Sequence, residues 1–247
     1  MIGNVRYAIK EISKNWDDRG WWRQRFIARV IGPTLKHIHR ADPINYMSHD
    51  WDNLIILDAC RADMFEETFN ITDFAEYEKV VSPGASSPEW MKSTFQGKSF
   101  PDTIYVSGNP WISKIAPDSF HEIVNVWTEE YDVDIKELEV GVTLDDVNTE
   151  GRGTSRAKHV TDAAIEAYKR YPHKRIIVHY FQPHAPTCGN SDGSLKKEID
   201  HSLHPGGIRD GEATKDETWE AYKENLQYAF HHARNVEEEI GGKTVYT

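Results

Sequence analysis

Asn53-Leu-Ile-Ile-Leu-Asp58-Ala-Cys-Arg61-Ala-Asp63 is the stretch on which the fold turns. Four consecutive apolar residues run into a carboxylate. A run this apolar suits a strand buried on both faces of a parallel sheet. In open α/β sheets, ligands bind beyond the carboxyl ends of the strands. Asp58 would sit there, with Arg61 and Asp63 about a turn further on. The alternative reading is that Asp58 only N-caps the helix that follows. Likewise, Arg61 and Asp63 could form an ordinary surface ion pair.

Working outward, strand and helix patterns alternate. Residues 61–69 read as a short helix. Ser82-Pro-Gly-Ala-Ser86-Ser87-Pro88-Glu-Trp90 reads as a loop entering a helix over 88–96, with Pro88 in its first turn. Thr103–Ser107 and Ile123–Trp127 read as strands. Arg156–Tyr171 is an amphipathic helix stopped by Pro172, and Arg175–Phe181 is a strand ending in Gln182-Pro183-His184-Ala-Pro186. Trp219, Tyr222, Leu226, Phe230, Ala233 and Val236 mark a long helix ended by Gly241-Gly242, and Lys243–Thr247 starts another strand. This alternation predicts an α/β domain with a mostly parallel central sheet, helices on both faces and right-handed crossovers. Residues 189–217 show no periodicity, which predicts either a substrate-side lid or disorder.

Residues 1–45 read as an N-terminal helical segment and 46–247 as the α/β domain. Within the first, residues 19–31 carry Arg19, Arg23, Arg25 and Arg29 beside Trp21, Trp22, Phe26, Ile27, Val30 and Ile31. Such a helix either lies on an anionic membrane surface or packs its apolar stripe on the core.

The 247 residues carry 29 Lys and Arg against 40 Asp and Glu, a net charge of −11, which argues against general nucleic-acid binding. Residues 122–150 hold ten acidic residues and one lysine, without the spacing of a calcium loop, and read as a solvated face. Cys60 and Cys188 make neither a disulfide framework nor a zinc cluster. The chain shows no signal-peptide pattern at Met1 and no run long enough to span a bilayer. The expected setting is soluble and cytoplasmic, with peripheral membrane contact through residues 19–31 as the open alternative.

Three polar clusters follow strands or strand-like runs: Asp58/Arg61/Asp63, Ser86/Ser87 and His179/His184. A parallel sheet gathers such positions at one edge. A carboxylate and a hydroxyl close together, with a histidine nearby, can hold a divalent metal that lowers the hydroxyl pKa and neutralises an anionic ester. Asn109, after the Thr103–Ser107 strand, is placed to reach a substrate. Against these stand plainer roles. One of Ser86 and Ser87 caps the helix, and His179 is a hydrogen-bonded strand-end histidine.

These motifs, in order, resemble the alkaline phosphatase superfamily in its sulfatase and nucleotide pyrophosphatase/phosphodiesterase branches. The resemblance covers about 53–186. It implies that Asp58 is a metal ligand. It also implies that Ser86, with Ser87 as the fallback, is a nucleophile sharing the metal. His184, in Pro183-His184-Ala-Pro186, would face substrate or metal. Arg61 would orient the Asp58 loop, while Ser87, Asn109 and His179 would line the substrate. The implied activity is hydrolysis or transfer of phosphate or sulfate esters with a divalent metal, Zn, Mn, Mg or Ca. The alternative is a catalytically incomplete domain acting as a binding or scaffold module. Ser86-Ser87-Pro88-Glu89-Trp90 lacks the arginine of the sulfatase formylglycine pattern. The family's next motif, Ser-Asp-His-Gly, would begin where this chain stops at Thr247, so the resemblance implies truncation before a further metal-ligand pair.

Overall fold

A computed structural model of the chain describes residues 12–13, 15–26, 43–127 and 155–247. The chain divides into two compact units, Met1–Pro43 and Ile44–Thr247. In the first, helix α1 spans Arg19–Phe26, with Trp22 and Phe26 exposed and the Arg25 guanidinium over the Trp21 ring. Residues 27–31 of the basic tryptophan-bearing segment lie outside the described residues. So do residues 128–150 of the acidic stretch.

The second unit is built on β1 (Asn53–Leu57), β2 (Phe100–Ser107), β3 (Phe120–Asn125), β4 (Arg175–Tyr180) and β5 (Thr244–Tyr246), in the order β3-β2-β4-β1-β5. Every pairing is parallel. All five residues of β1 are buried, because it lies between β4 and β5 and is covered on both faces. Burying Leu54, Ile55, Ile56 and Leu57 contributes on the order of 6–12 kcal/mol before chain entropy is counted.

Strand alternation sorts these side chains into two cores. Ile55, Leu57, Ile104, Val106, Ile176 and Val178 face α2 (Ala62–Thr68), α5 (Ala157–Arg170) and α7 (Lys215–Ile240). Leu54, Ile56, Tyr105 and Ile177 face the other way, onto Met91 and Phe95 of α3 (Ser87–Phe95) and Ile112 and Ile115 of α4 (Ile112–Ile115). The expected α/β sheet with helices on both faces is therefore observed.

Helix ends follow their local chemistry. α7 opens on a capping box in which Thr214 and Glu217 satisfy each other's backbone N–H groups. It closes at Gly241, where φ is 69°. The third strand runs over Phe120–Asn125 rather than 123–127, because Val126 and Trp127 already turn into helical backbone. The stretch 189–217 is partly ordered, with a bridge between Gly189 and Leu195 and helix α6 (Pro205–Asp210) capped by His204. Its six residues hold only one large apolar side chain, Ile208, so no periodicity could reveal it. Among the described residues, no helix is long and apolar enough to cross a membrane.

Candidate functional site

Strand register brings the site together. Leu57 pairs with Tyr180, Ile56 with His179, and Ser107 with His179. The residues just past β1 and β2 therefore meet the end of β4 at one level. The Asp58 N–H donates to the Tyr180 carbonyl at 3.2 Å, and the His184 N–H donates to the Asp58 carbonyl at 3.1 Å. Gly108 donates to the His179 carbonyl at 2.8 Å. A Cβ there would meet that oxygen at 3.2 Å and Val160 at 3.2 Å, so the close approach favours glycine.

The carboxylate of Asp58 is the hub, at 9% exposure. Asn109 Nδ2 donates to its Oδ2 at 2.7 Å. The Ser87 hydroxyl, at the start of α3, lies 3.1 Å from Oδ1 and 3.0 Å from Oδ2. His179 Nε2 stands 3.7 Å from Oδ2, beyond hydrogen-bond reach. Burial opposes ionisation of Asp58, but the His179 imidazole, the nearby His184 ring and the Asn109 amide outweigh it. The carboxyl accordingly sits below its ordinary range. The corner therefore holds an ionised, largely buried carboxylate with a hydroxyl on it.

The two serines divide the roles expected of them. Ser86 is the N-cap of α3: its exposed hydroxyl accepts from the Glu89 N–H at 3.5 Å. Ser87, the fallback, is the hydroxyl that reaches Asp58. Of the two serines, it is therefore Ser87 and not Ser86 whose hydroxyl lies on the Asp58 carboxylate. Asp58 itself caps nothing, since Arg61 occupies the N-cap position of α2.

The Arg61 side chain is exposed. It pairs with Asp63 through a 3.0 Å bond from Nε, and its guanidinium lies 5.2 Å from the Trp219 ring centroid. The ion-pair reading describes it better than a role on the Asp58 side chain. Asn109 is buried and clamped: besides its bond to Asp58, its Oδ1 accepts from the Trp111 N–H at 3.0 Å. His179 is buried among Tyr105, Trp90 and Asp58.

The His184 ring is exposed beside the corner. Its Nδ1 lies 2.7 Å from the Ala185 carbonyl, which only accepts, so Nδ1 carries a proton and neutral His184 offers a lone pair at Nε2. Cys60 is no rival nucleophile: burial and the charge of Asp63 push its thiol up to about 12.

Two residues that the sequence reading passed over complete the corner. Tyr105 places its hydroxyl 2.7 Å from His179 Nδ1. It lies on the β2 face that meets α3, as His179 does on β4, but only the register makes the two neighbours. Asn225 is fully buried on α7. Its Oδ1 accepts from the Cys188 and Gly189 N–H groups at 3.1 Å each, and its Nδ2 donates to the Pro183 and His184 carbonyls at 3.2 and 3.3 Å. It staples the loop that carries His184. A polar residue in the stripe Ala221, Asn225, Ala229, Ala233 was the available signal. Ala59, directly after Asp58, has φ of 65°, and its carbonyl accepts from the Tyr222 hydroxyl.

Asp58 and Ser87 offer one carboxylate and one hydroxyl. Among the described residues, no group of three or more His, Cys, Asp or Glu side chains could hold a metal ion. Calcium and magnesium take six or more oxygen ligands and zinc about four ligands in all. The described donors alone therefore do not fit a complete centre for any of the expected metals. No family model, curated protein or solved structure matches the chain.

Proposed function

We propose that this domain acts on phosphate or sulfate esters as a hydrolase or transferase, with Ser87 as the attacking hydroxyl. The observation that carries the reading is the Ser87 hydroxyl on the buried, ionised Asp58 carboxylate at the carboxyl edge of a parallel sheet. The ordered motifs at 53–63, 86–88 and 179–186, which resemble the sulfatase-like branch of the alkaline phosphatase superfamily, support it.

In this reading Asp58 orients the Ser87 hydroxyl by accepting its proton in a hydrogen bond, and Asn109 holds Asp58 in place. Ser87 Oγ bonds to phosphorus or sulfur as the ester's alcohol departs. The Oγ proton passes along its hydrogen bond to Asp58 and on to solvent, while protonated His184 supplies the departing alcohol's proton through Nε2. Water or an acceptor alcohol then takes the group from Ser87 and returns its proton. The substrate is anionic and so is Asp58. Among the described residues, His184 can offset this charge as an imidazolium, and His179 favours the charged form of Asp58.

The incomplete donor set favours a second reading, a binding or scaffold module that holds an anionic ester without turning it over. One experiment separates the two. The full chain is assayed with aryl phosphate, phosphodiester and aryl sulfate substrates, with Mn²⁺, Zn²⁺, Mg²⁺ or Ca²⁺ added in turn. The first reading expects turnover that Ser87→Ala abolishes and Ser86→Ala retains. Wild-type turnover in Ser87→Ala would overturn it. Calorimetric binding of inorganic phosphate with no turnover of any substrate would favour the module.

A further inference from the structure

His179 is 1% exposed, and its two ring nitrogens have unequal company. Nδ1 lies 2.7 Å from the Tyr105 hydroxyl. Nε2 is buried without a hydrogen-bond partner and faces Asp58 Oδ2 at 3.7 Å.

Two tautomers are conceivable, and the surroundings select one. If Nδ1 carried the proton, the Nε2 lone pair would face an ionised carboxylate, and the Tyr105 O–H would donate to nothing. If Tyr105 donates to Nδ1, the Nε2–H dipole points at the carboxylate and every proton has a favourable direction. Burial and the Asp58 charge both keep the Tyr105 phenol protonated, which makes it a donor.

We propose that His179 is a positioning residue held in reserve for Asp58. Its Nε2–H, fixed by the Tyr105 hydroxyl on Nδ1, closes onto Asp58 Oδ2 when Ser87 Oγ gives up that carboxylate. The proposal rests on the reading of Ser87 as the attacking group. Once Oγ is bonded to phosphorus or sulfur it has no proton to donate, and Asp58 keeps Asn109 as its remaining side-chain donor. The required shift is about 0.8 Å, the 3.7 Å separation less the ordinary 2.9 Å of an N–H···O bond. His179 thus holds the Asp58 carboxylate in register through the step in which Ser87 is occupied.

Ser87→Ala removes the hydroxyl without any ester chemistry, so the test needs no turnover. The ring nitrogens and protons of His179 are read by ¹⁵N–¹H NMR of the full chain, with His179→Gln used for assignment, and the Nε2–Oδ2 distance by crystallography. Wild type should show the proton on Nε2 and a bare Nδ1. In Ser87→Ala the Nε2–Oδ2 distance should fall below about 3.2 Å, and the Hε2 resonance should move downfield and exchange more slowly. Tyr105→Phe should release the tautomer into a mixture. In Tyr105→Phe with Ser87→Ala, the Hε2 response should weaken. A proton on Nδ1 in wild type, or an unchanged distance and Hε2 resonance in Ser87→Ala, would overturn the proposal. A His179 response in a Ser87→Ala chain that keeps full turnover would instead count against the Ser87 reading alone.

Discussion

Replacing Asn109 by alanine removes the shortest hydrogen bond to Asp58, 2.7 Å from Nδ2 to Oδ2. A bond to an ionised, buried carboxylate is worth about 1.5–3 kcal/mol. The same change deprives the Trp111 N–H of its acceptor, at about 0.5–1.5 kcal/mol more. The expected loss is roughly 2–4 kcal/mol from a total of about 5–15 kcal/mol. With a urea slope of about 2–3 kcal/mol/M, the midpoint should fall by about 1–2 M. The pH dependence carries a sign. The folded pKa of Asp58 lies below its unfolded value, so its stabilisation is present above about pH 4 and lost as pH falls through the folded value. The Asn109→Ala deficit should be largest near pH 7 and shrink below about pH 4. Asn109→Asp keeps the acceptor for Trp111 but sets a second carboxylate on the first, and should cost more than alanine at pH 7. Urea melts of the three proteins across pH 3–8 check this. A deficit in Asn109→Ala under about 0.5 kcal/mol at pH 7, or one that ignores pH, would refute the reasoning.

Ser86→Ala should cost about 0.5–1 kcal/mol, since its cap bond to Glu89 is long at 3.5 Å, and should leave any turnover within about twofold; thermal melts and the ester assay check both. Asn225→Ala strands the Cys188 and Gly189 N–H groups and should cost roughly 2–5 kcal/mol. Amide exchange over 183–189 should quicken in Asn225→Ala more than in the sheet, as the local staple is lost. Ala59 sits at φ 65°, where a Cβ costs about 1–2 kcal/mol. Glycine's larger unfolded-state entropy returns about 0.5–1 kcal/mol of that, so Ala59→Gly should raise stability by up to about 1.5 kcal/mol in a urea melt.

What the sequence could reveal was set by how local each signal is. Asn53–Leu57 declared itself as a doubly covered strand through four adjacent apolar residues, and the alternation around it gave the parallel sheet. Asp58, Asn109 and His184 each follow a strand and His179 lies near the end of one, so their gathering at one edge was readable from order alone. The choice between Ser86 and Ser87 was not. Both sit before Pro88, and which one caps the helix depends on the φ and ψ of the turn rather than on residue type. Arg61 was drawn to the site by its neighbours in sequence, yet Asp63 and Trp219 hold it at the surface. Tyr105 and Asn225 act across 74 and about 40 residues of chain, through strand register and helix packing. α4 and α6, four and six residues long, are too short to show a period.

The most direct measurement is the position of a covalent ester on the chain. The full-length protein is mixed with an aryl phosphate or aryl sulfate and quenched in acid during turnover, and the peptide spanning Ser86 and Ser87 is fragmented by mass spectrometry. The phosphoryl or sulfuryl group should lie on Ser87, be absent from Ser87→Ala and persist in Ser86→Ala. A group on Ser86, or full turnover in Ser87→Ala with no adduct, would contradict the assignment of Ser87 as the nucleophile held by Asp58.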